Sequence, residues 1–204
     1  MPFTFAIFDP ERVRHGVTRR DPALHREGDI SFVTGRDERA VFTSRWAWGE
    51  RLGIDAADIV AAQQVHGATI AHVGVADRGR GARRFADALP GVDALLTAAP
   101  GVPLLLTFAD CTPLLFHDPV RGVAGLAHAG WRGTVADIAG ATIRAMVQRY
   151  GSAPQDILAG IGPAIGPCCY VVGPEVAAAW RTLGVPDGAV ARPLPPDAGR
   201  EQWR

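Results

Sequence analysis

Lysine and asparagine are both absent from the 204-residue sequence, so all 21 basic side chains are arginines. Without lysine the chain cannot form a Schiff base, a phosphate-loop lysine contact or a Ser–Lys dyad. Without asparagine it has no N-glycosylation site and no Cys–His–Asn protease triad. Any function that needs a cationic side chain must therefore use arginine.

Serine and cysteine are scarce, and the net charge is zero. None of the three serines lies in a Gly-x-Ser-x-Gly elbow, which disfavours an ordinary serine hydrolase. Three cysteines make no disulfide framework and no signal-peptide pattern is present, so we expect a cytoplasmic protein with reduced thiols. The balanced charge disfavours a nucleic-acid partner, and no apolar run reaches the roughly 18 residues of a membrane helix.

Strand and helix patterns occur both in runs and in alternation, which favours an α+β domain with a mixed sheet. Apolar spacing predicts helices over Arg39–Leu52, Thr134–Tyr150 and Pro174–Leu183, the second with a threonine cap. The stretch Asp77–Gly91 is rich in arginine and glycine and is predicted to be a mobile surface loop. Short strands are predicted over Phe3–Phe8, Val13–Val17, Ile30–Thr34, Ile59–Val65, Thr69–Val73, Asp93–Thr97, Val102–Phe108, Leu114–His117, Val123–His128 and Ile157–Ile161.

Three segments place a residue that can bind a metal where an apolar strand meets glycine or proline. These residues are His66, Cys111 and His128. Two imidazoles and one thiolate suit zinc, and three protein ligands leave a fourth position for water or substrate. The spacing contains no CxxC or HExxH motif, so the residues alone also allow structural histidines and a small buried cysteine.

Four motifs in order resemble the YfiH-type, laccase-domain family. They are Gln-Val-His-Gly at 64–67, Ala-Asp-Cys-Thr-Pro at 109–113, His-Ala-Gly-Trp-Arg-Gly at 128–133, and Gly-Ile-Gly-Pro-Ala-Ile-Gly-Pro-Cys-Cys-Tyr-Val-Val-Gly at 160–173. That family was long labelled multicopper polyphenol oxidase and is now understood as zinc-dependent purine nucleoside enzymes. The resemblance implies an α/β/β/α sandwich related to a toxin deamidase. It also implies phosphorolysis of adenosine, inosine, guanosine and methylthioadenosine, and deamination of adenosine.

Carried over residue by residue, the resemblance places the family's metal ligands on His66, Cys111 and His128. We therefore expect a Zn²⁺ cofactor, with copper as the alternative, and purine nucleosides and phosphate as small-molecule partners. Deamination needs a carboxylate that moves a proton, and Asp110 is the first candidate, with a purely structural role as its alternative.

The remaining candidates concern substrate and phosphate. Arg132 is the first choice for phosphate, assisted by the N-terminus of the helix that follows it, and Arg45 is the second. Trp131 is expected to stack on the purine or to pack in the core. Gln64 and Tyr170 are expected to border the substrate.

The sequence departs from the family in three places. Val171 stands where the family has glutamate, and Ser44 stands where it has asparagine. The family's last segment is not present, so we expect residues 1–204 to form one YfiH-type domain that lacks it.

Three other functions remain open from the sequence. A copper polyphenol oxidase is disfavoured because six histidines are few for a multicopper site. A metal-free hydrolase would use Cys111 as nucleophile and His128 as base. A non-catalytic partner protein could retain the fold without the activity.

Overall fold

The computed structural model describes residues 1–32, 37–184, 193–197 and 200–203. Within these ranges the helices are α1 (Glu38–Leu52), α2 (Trp131–Val135), α3 (Ile138–Tyr150) and α4 (Pro174–Arg181). The strands are β1 (Val60–Gln63), β2 (Ile70–His72), β3 (Leu89–Pro90), β4 (Ala94–Thr97), β5 (Leu104–Leu105), β6 (Thr112–Asp118), β7 (Val123–Ala129), β8 (Leu158–Ile161), β9 (Pro193–Asp197) and β10 (Arg200–Trp203). No helix in the described ranges is long and apolar enough to cross a membrane.

Two sheets form the centre of the fold. The larger has five strands in the order β2-β4-β7-β6-β8, with β2 and β4 parallel and the other neighbours antiparallel. The smaller has three parallel strands in the order β3-β1-β5, and β9 pairs with β10 as a separate antiparallel ribbon. The predicted mixed-sheet α+β class is confirmed.

The alternation of side chains along β4 explains the layering. Successive side chains of a strand point to opposite faces, so the completely buried Leu95 and Leu96 serve different cores. Leu95 packs between the two sheets, in a cluster that includes Val60 of β1. Leu96 packs against α3, in a cluster that includes Met146. Phe42 of α1 packs against the outer side of the three-stranded sheet, which completes four layers in the order α/β/β/α.

Helix α1 confirms the prediction over Arg39–Leu52 and begins one residue earlier. The side chain of Asp37 caps it by accepting a hydrogen bond from the Arg39 amide. Gly53 ends it at φ 65°, a left-handed conformation that glycine adopts readily. The helix buries Trp48, whose indole N–H donates to the carbonyl of Gly28 at 2.8 Å.

The predicted helix Thr134–Tyr150 is wrong at its start. The chain forms the short helix α2 and then turns at Asp137, which has φ 57°, before α3 begins. The Asp137 carboxylate caps α3 by accepting from the Gly140 amide, whereas the hydroxyl of Thr134 donates to the Gly130 carbonyl. The apolar spacing continues across the break, which is why the pattern predicts one helix.

Four other predicted strands differ from the structure in extent. Phe3–Phe8 and Val13–Val17 form a single bridge between Phe3 and Val17, because the His15 ring accepts the Phe5 amide proton instead of a strand partner. The strand predicted over Val102–Phe108 is reduced to β5. Residues 30–32 form no strand, and Val33 and Thr34 lie outside the described residues.

The arginine-rich stretch 77–91 contains turns, a short 3-10 helix over Phe85–Asp87 and β3, and the predicted mobility of this loop stays a prediction. Its backbone nevertheless packs closely on the core, because Ala82 and Ala88 are buried. This contact brings the carbonyls of residues 81 and 82 to Arg45 on α1.

Candidate metal centre

Antiparallel pairing of β6 and β7 brings two of the predicted metal ligands together. Pro113 lies opposite His128, and Thr112 lies opposite Ala129. Cys111, which directly precedes β6, therefore lies beside the end of β7. Cys111 and His128 therefore meet at one rim of the larger sheet.

His66 reaches the same place from the smaller sheet, on the loop that follows β1. One ligand atom each from His66, Cys111 and His128 lies within 4.8 Å of the other two, and this group could hold a metal ion. His66 is exposed, Cys111 is half-buried and His128 is only 3% exposed. The cluster is thus open to solvent on the side of His66 and closed on the side of His128.

Asp93, immediately before β4, joins the two histidine segments. Its carboxylate is completely buried, and Oδ1 lies 2.9 Å from Nδ1 of His128. Oδ1 also accepts from the His66 amide at 2.9 Å, while Oδ2 accepts from the amides of Val65 and Gly67 at 3.2 and 2.8 Å. The hydrogen bond at Nδ1 leaves Nε2 of His128 as the nitrogen available to a metal.

Gly130 leaves the space beside the cluster open. A Cβ atom at this position would lie 3.1 Å from Cδ2 of His66, 3.2 Å from Sγ of Cys111 and 3.8 Å from Cε1 of His128. All three ligand side chains therefore face one small volume that only a residue without a side chain leaves free.

When no cation is bound, the surroundings of the cluster favour a neutral imidazole at His128 and a protonated thiol at Cys111. Burial lowers the pKa of His128, although the hydrogen bond to Asp93 opposes this effect. Burial raises the pKa of the Cys111 thiol, and the nearby negative charges of Asp110 and Asp93 raise it further. A bound cation would favour the thiolate of Cys111, and the thiolate is the form that binds zinc.

The loop after β8 closes over the start of β6. The Gly162 amide donates to the Pro113 carbonyl at 2.8 Å, and the Ile165 amide donates to the Asp110 carbonyl at 3.0 Å. Tyr170, at the end of this loop, is 37% exposed, and burial together with the charges of Cys111 and Asp110 raises the pKa of its phenol. The phenol therefore stays protonated at neutral pH, and its contact with the substrate stays a prediction.

Asp110 and Arg132 are both exposed beside the cluster. The positive charge of Arg132 lowers the pKa of the Tyr170 phenol, whereas the negative charge of Asp110 raises it. The Arg132 guanidinium stacks on the ring of Trp131, with Cζ 4.1 Å from the ring centroid. One face of Trp131 is thus covered by its neighbour, and the predicted purine stacking stays a prediction for the other face.

The helix N-terminus predicted to assist Arg132 is absent in that form. Helix α2 has only five residues, and the first turn of α3 is already capped by the Asp137 carboxylate. A negatively charged cap at this position disfavours a second anion. Of the two groups predicted to bind phosphate near the cluster, the helix N-terminus is therefore disfavoured and Arg132 remains a candidate.

Arg45 and Gln64 are occupied by backbone groups. The Arg45 guanidinium is 2% exposed, donates to the carbonyls of Ile30, Gly81 and Ala82, and lies over the Phe32 ring. Both ends of the Gln64 amide bind the backbone of Thr107, at 2.9 Å each. The phosphate role of Arg45 and the substrate role of Gln64 stay predictions, since the structure gives both side chains bonds that hold the fold.

Sequence reasoning missed Asp93 and Gly130. The only local signal for Asp93 is an acidic residue directly before a fully apolar strand, and the signal for Gly130 is its place between a histidine and a tryptophan. The role of Asp93 depends on the β4–β7 pairing, in which the residue before Ala94 comes to lie beside His128, and that of Gly130 depends on the β6–β7 pairing, in which the residue after Ala129 comes to lie beside Cys111. The sequence does not reveal either register.

Comparison with known proteins agrees with this geometry. The family model described as multi-copper polyphenol oxidoreductase laccase matches residues 13–194. Purine nucleoside phosphorylase YlmD of Geobacillus stearothermophilus is 47% identical over 182 residues, which are 89% of this chain and 64% of that protein. Adenosine deaminase RL5, from an unknown prokaryotic organism, is 36% identical over 147 residues, which are 72% of this chain and 56% of that protein.

Among solved structures, the hypothetical protein YfiH of Bacillus licheniformis superposes with a TM-score of 0.80 at 38% identity. The match covers 90% of this chain and 67% of that one. The chain thus spans less than two thirds of the length of the two curated relatives named above. The family match, the identities and the shared fold agree, and the chain belongs to the YfiH-type laccase-domain family.

Proposed function

We propose that this chain binds one zinc ion through His66, Cys111 and His128 and processes purine nucleosides at that centre. The reactions are phosphorolysis of adenosine, inosine, guanosine and methylthioadenosine, and hydrolytic deamination of adenosine. The observation that carries the proposal is the His₂Cys cluster within 4.8 Å, in a chain whose relatives are named purine nucleoside phosphorylase and adenosine deaminase.

Three features of the described residues fit a zinc ion. The donor set of two imidazoles and one thiol is typical of zinc, with one position left for water or substrate. Nδ1 of His128 is held by Asp93, so the ring presents a single free nitrogen. Gly130 leaves the volume between the three side chains unfilled. When bound, the ion would act as a Lewis acid and make water a better nucleophile at neutral pH.

In deamination, the oxygen of water bonds to C6 of the purine and the amino group leaves as ammonia. Asp110 is exposed beside Cys111, and its carboxylate would take the proton from the attacking water and return it to the leaving nitrogen. The protonated phenol of Tyr170 would donate a hydrogen bond to one ring nitrogen of the purine.

In phosphorolysis, a phosphate oxygen bonds to C1′ of the ribose while the glycosidic C1′–N9 bond breaks. The products are the free base and ribose 1-phosphate. Arg132 would bind the phosphate, because its guanidinium is exposed and its planar fork suits phosphate oxygens. Its stacking on Trp131 fixes the guanidinium plane before the anion arrives.

The family description favours copper oxidation as the second candidate function. A mononuclear His₂Cys copper site commonly has a long axial methionine bond, and multicopper sites need more histidines. Met146 is completely buried in the core between α3 and the larger sheet, and the described residues hold one candidate cluster. These observations favour zinc.

A metal-free Cys–His hydrolase is the third candidate. It would need Cys111 as a thiolate nucleophile near neutral pH. Burial and the neighbouring carboxylates raise the pKa of this thiol instead, which disfavours the thiolate without a cation. The raised pKa thus argues for a cysteine that acts as a ligand.

The test is an assay of protein purified without added metal. The metal content is measured first, and the protein is then incubated with adenosine in the presence and absence of phosphate. We expect about one zinc per chain, inosine in both conditions, and adenine only with phosphate. Cys111→Ser should lose metal and both activities, whereas Cys168→Ser, at an exposed cysteine outside the cluster, should retain them.

Each alternative has its own outcome in this assay. Stoichiometric copper with oxidation of phenols would favour the oxidase. Activity that survives chelation but not alkylation of Cys111 would favour the metal-free hydrolase. The absence of any product from nucleosides, in protein that holds zinc, would overturn the proposed reactions.

A further inference from the structure

We infer that Asp93 is the positioning residue that assembles the two histidine ligands before any metal binds. The inference deepens the proposed function, since it rests on the same metal centre. Its evidence is separate, because it concerns the hydrogen bonds that a single carboxylate makes.

The Asp93 carboxylate connects two segments that come from different sheets. It faces Nδ1 of His128 on β7, and it accepts from three consecutive amides in the loop after β1. The backbone of Asp93 adds a further bond, because its carbonyl accepts the His128 amide at 2.8 Å. One residue therefore fixes the backbone of both histidines and the ring of one.

The burial of Asp93 makes these bonds obligatory. The residue is 0% exposed, and a buried carboxylate without hydrogen-bond partners is strongly disfavoured. Four N–H groups satisfy its two oxygens, and no arginine forms an ion pair with it in the described ranges. Hydrogen bonds to the two ligand segments thus satisfy both oxygens of the carboxylate.

The conformation of His66 depends on the same carboxylate. His66 has φ 63°, a left-handed conformation that is uncommon for residues other than glycine. The turn at His66 points the amides of Val65, His66 and Gly67 toward one anion, an arrangement known as a nest. Asp93 occupies that nest from within the protein and so holds the loop in the form that carries the His66 ring to the cluster.

The tautomer of His128 follows from the same contact. A carboxylate oxygen at Nδ1 accepts a hydrogen bond, so the proton lies on Nδ1 and the lone pair lies on Nε2. Metal-binding histidines usually have such a partner, and its loss weakens metal binding roughly 10- to 100-fold. We expect a loss in this range when one of the two accepting oxygens of Asp93 is replaced by an amide nitrogen, which only donates.

The experiment compares Asp93→Asn with Asp118→Asn in the metal-free protein, titrated with Zn²⁺ against a chelator of known affinity. Asp118 is the matched control, because it is also completely buried and accepts two backbone amides, at the far end of β6. Asp93→Asn should weaken zinc binding roughly 10- to 100-fold. Asp118→Asn should lower stability but leave the zinc affinity within about threefold of the wild-type value, because Asp118 does not contact the ligands.

A second readout uses the wild-type protein and so does not depend on the variant's folding. Nitrogen chemical shifts of His128 in the metal-free protein should show the proton on Nδ1. A proton on Nε2, or equal zinc affinity in wild-type and folded Asp93→Asn protein, would overturn the inference. If the wild-type protein binds zinc with this tautomer but has no activity on nucleosides, only the proposed function fails.

Discussion

Gly130 lies directly against Cys111, so that a Cβ atom on the glycine would be 3.2 Å from the sulfur. The φ of Gly130 is −72°, which any residue adopts, so backbone freedom does not require glycine here. Space does. The residue follows β7 directly, and its missing side chain keeps the volume between the three candidate ligands open.

Replacement of this glycine tests whether the volume is used by a metal. Gly130→Ala should weaken zinc binding roughly tenfold or more, because the new methyl group displaces Cys111 and His66 from the ligand geometry. Chelator competition measures the affinity. Gly74→Ala is the control, since a Cβ at Gly74 meets nothing within 4 Å, and its affinity should equal that of the wild type. Equal affinity in Gly130→Ala would contradict the proposed centre.

Arg132 separates the two proposed reactions. Arg132→Gln should raise the KM for phosphate roughly 10- to 100-fold, because a charge-assisted contact of about 1.5–3 kcal/mol is lost. Deamination of adenosine needs no phosphate and should change much less. Steady-state kinetics of both reactions on one preparation measure the difference.

A matched arginine serves as the control for this variant. Arg84 is exposed and pairs with Asp87 rather than with one of the three candidate ligands, so Arg84→Gln should leave both reactions unchanged. A phosphate KM that stays at the wild-type value in Arg132→Gln would remove this residue from the anion site.

Local patterns predicted most of the helices and strands that build the layers, whereas the α/β/β/α order was implied only by the family resemblance. Helix α1 has a cap, an apolar face and a terminating glycine in its own sequence, and β6 and β7 are apolar runs of strand length. The break at Asp137 was not predictable, because it needs a left-handed residue in the middle of a continuous apolar spacing.

The candidate site divides in the same way. The three candidate ligands were predicted from residue type and from the family motifs, and the structure places them close enough to hold a metal ion. Asp93 and Arg45 owe their roles to partners distant in sequence: His128 is 35 residues from Asp93, and Gly81 is 36 residues from Arg45. Such pairings depend on strand register and loop path, which composition and periodicity do not contain.

Arg45 provides a test of stability rather than of activity. Arg45→Ala should lower the free energy of unfolding by about 3 kcal/mol or more, because the partly buried carbonyl of Ile30 and the buried carbonyls of Gly81 and Ala82 lose their donor. Burial lowers the pKa of Arg45 to about 10, so the side chain is still charged at neutral pH. Denaturant unfolding measures the loss.

Arg83 offers a comparison with a similar aromatic contact at the surface. Its guanidinium lies 3.9 Å from the centroid of the Phe42 ring, and the residue is exposed, so Arg83→Ala should cost less than about 1 kcal/mol. If Arg45→Ala is as stable as Arg83→Ala but has a raised phosphate KM, Arg45 binds phosphate and its structural role is the wrong interpretation.

His117 lies at the end of the larger sheet far from the cluster, and its burial leads to a prediction of how stability depends on pH. The residue is 4% exposed, and its Nδ1 has no hydrogen-bond partner among the described residues. Burial lowers the pKa of His117, and the charges of Arg12 and His15 lower it further, while Asp118 and Asp9 oppose them.

The sign of the pH effect follows from this lowered pKa. Below the unfolded value of about 6.5 the unfolded chain binds more protons than the folded chain, so stability falls as the pH decreases through that value. His117→Leu removes this dependence and also the unpartnered nitrogen. It should therefore gain roughly 1 kcal/mol or less at pH 7.5 and lose less stability than the wild type at pH 5.5.

Thermal unfolding with chelator present measures this, because chelation removes any contribution of metal binding. His25→Leu is the control, since His25 lies exposed on a surface turn and its replacement leaves the buried ring in place. The wild type and His25→Leu should share one slope of melting temperature against pH between 7.5 and 5.5, and His117→Leu should have a shallower one. Equal slopes in all three proteins would mean that other groups titrate, since the pKa of His72 is also lowered by burial.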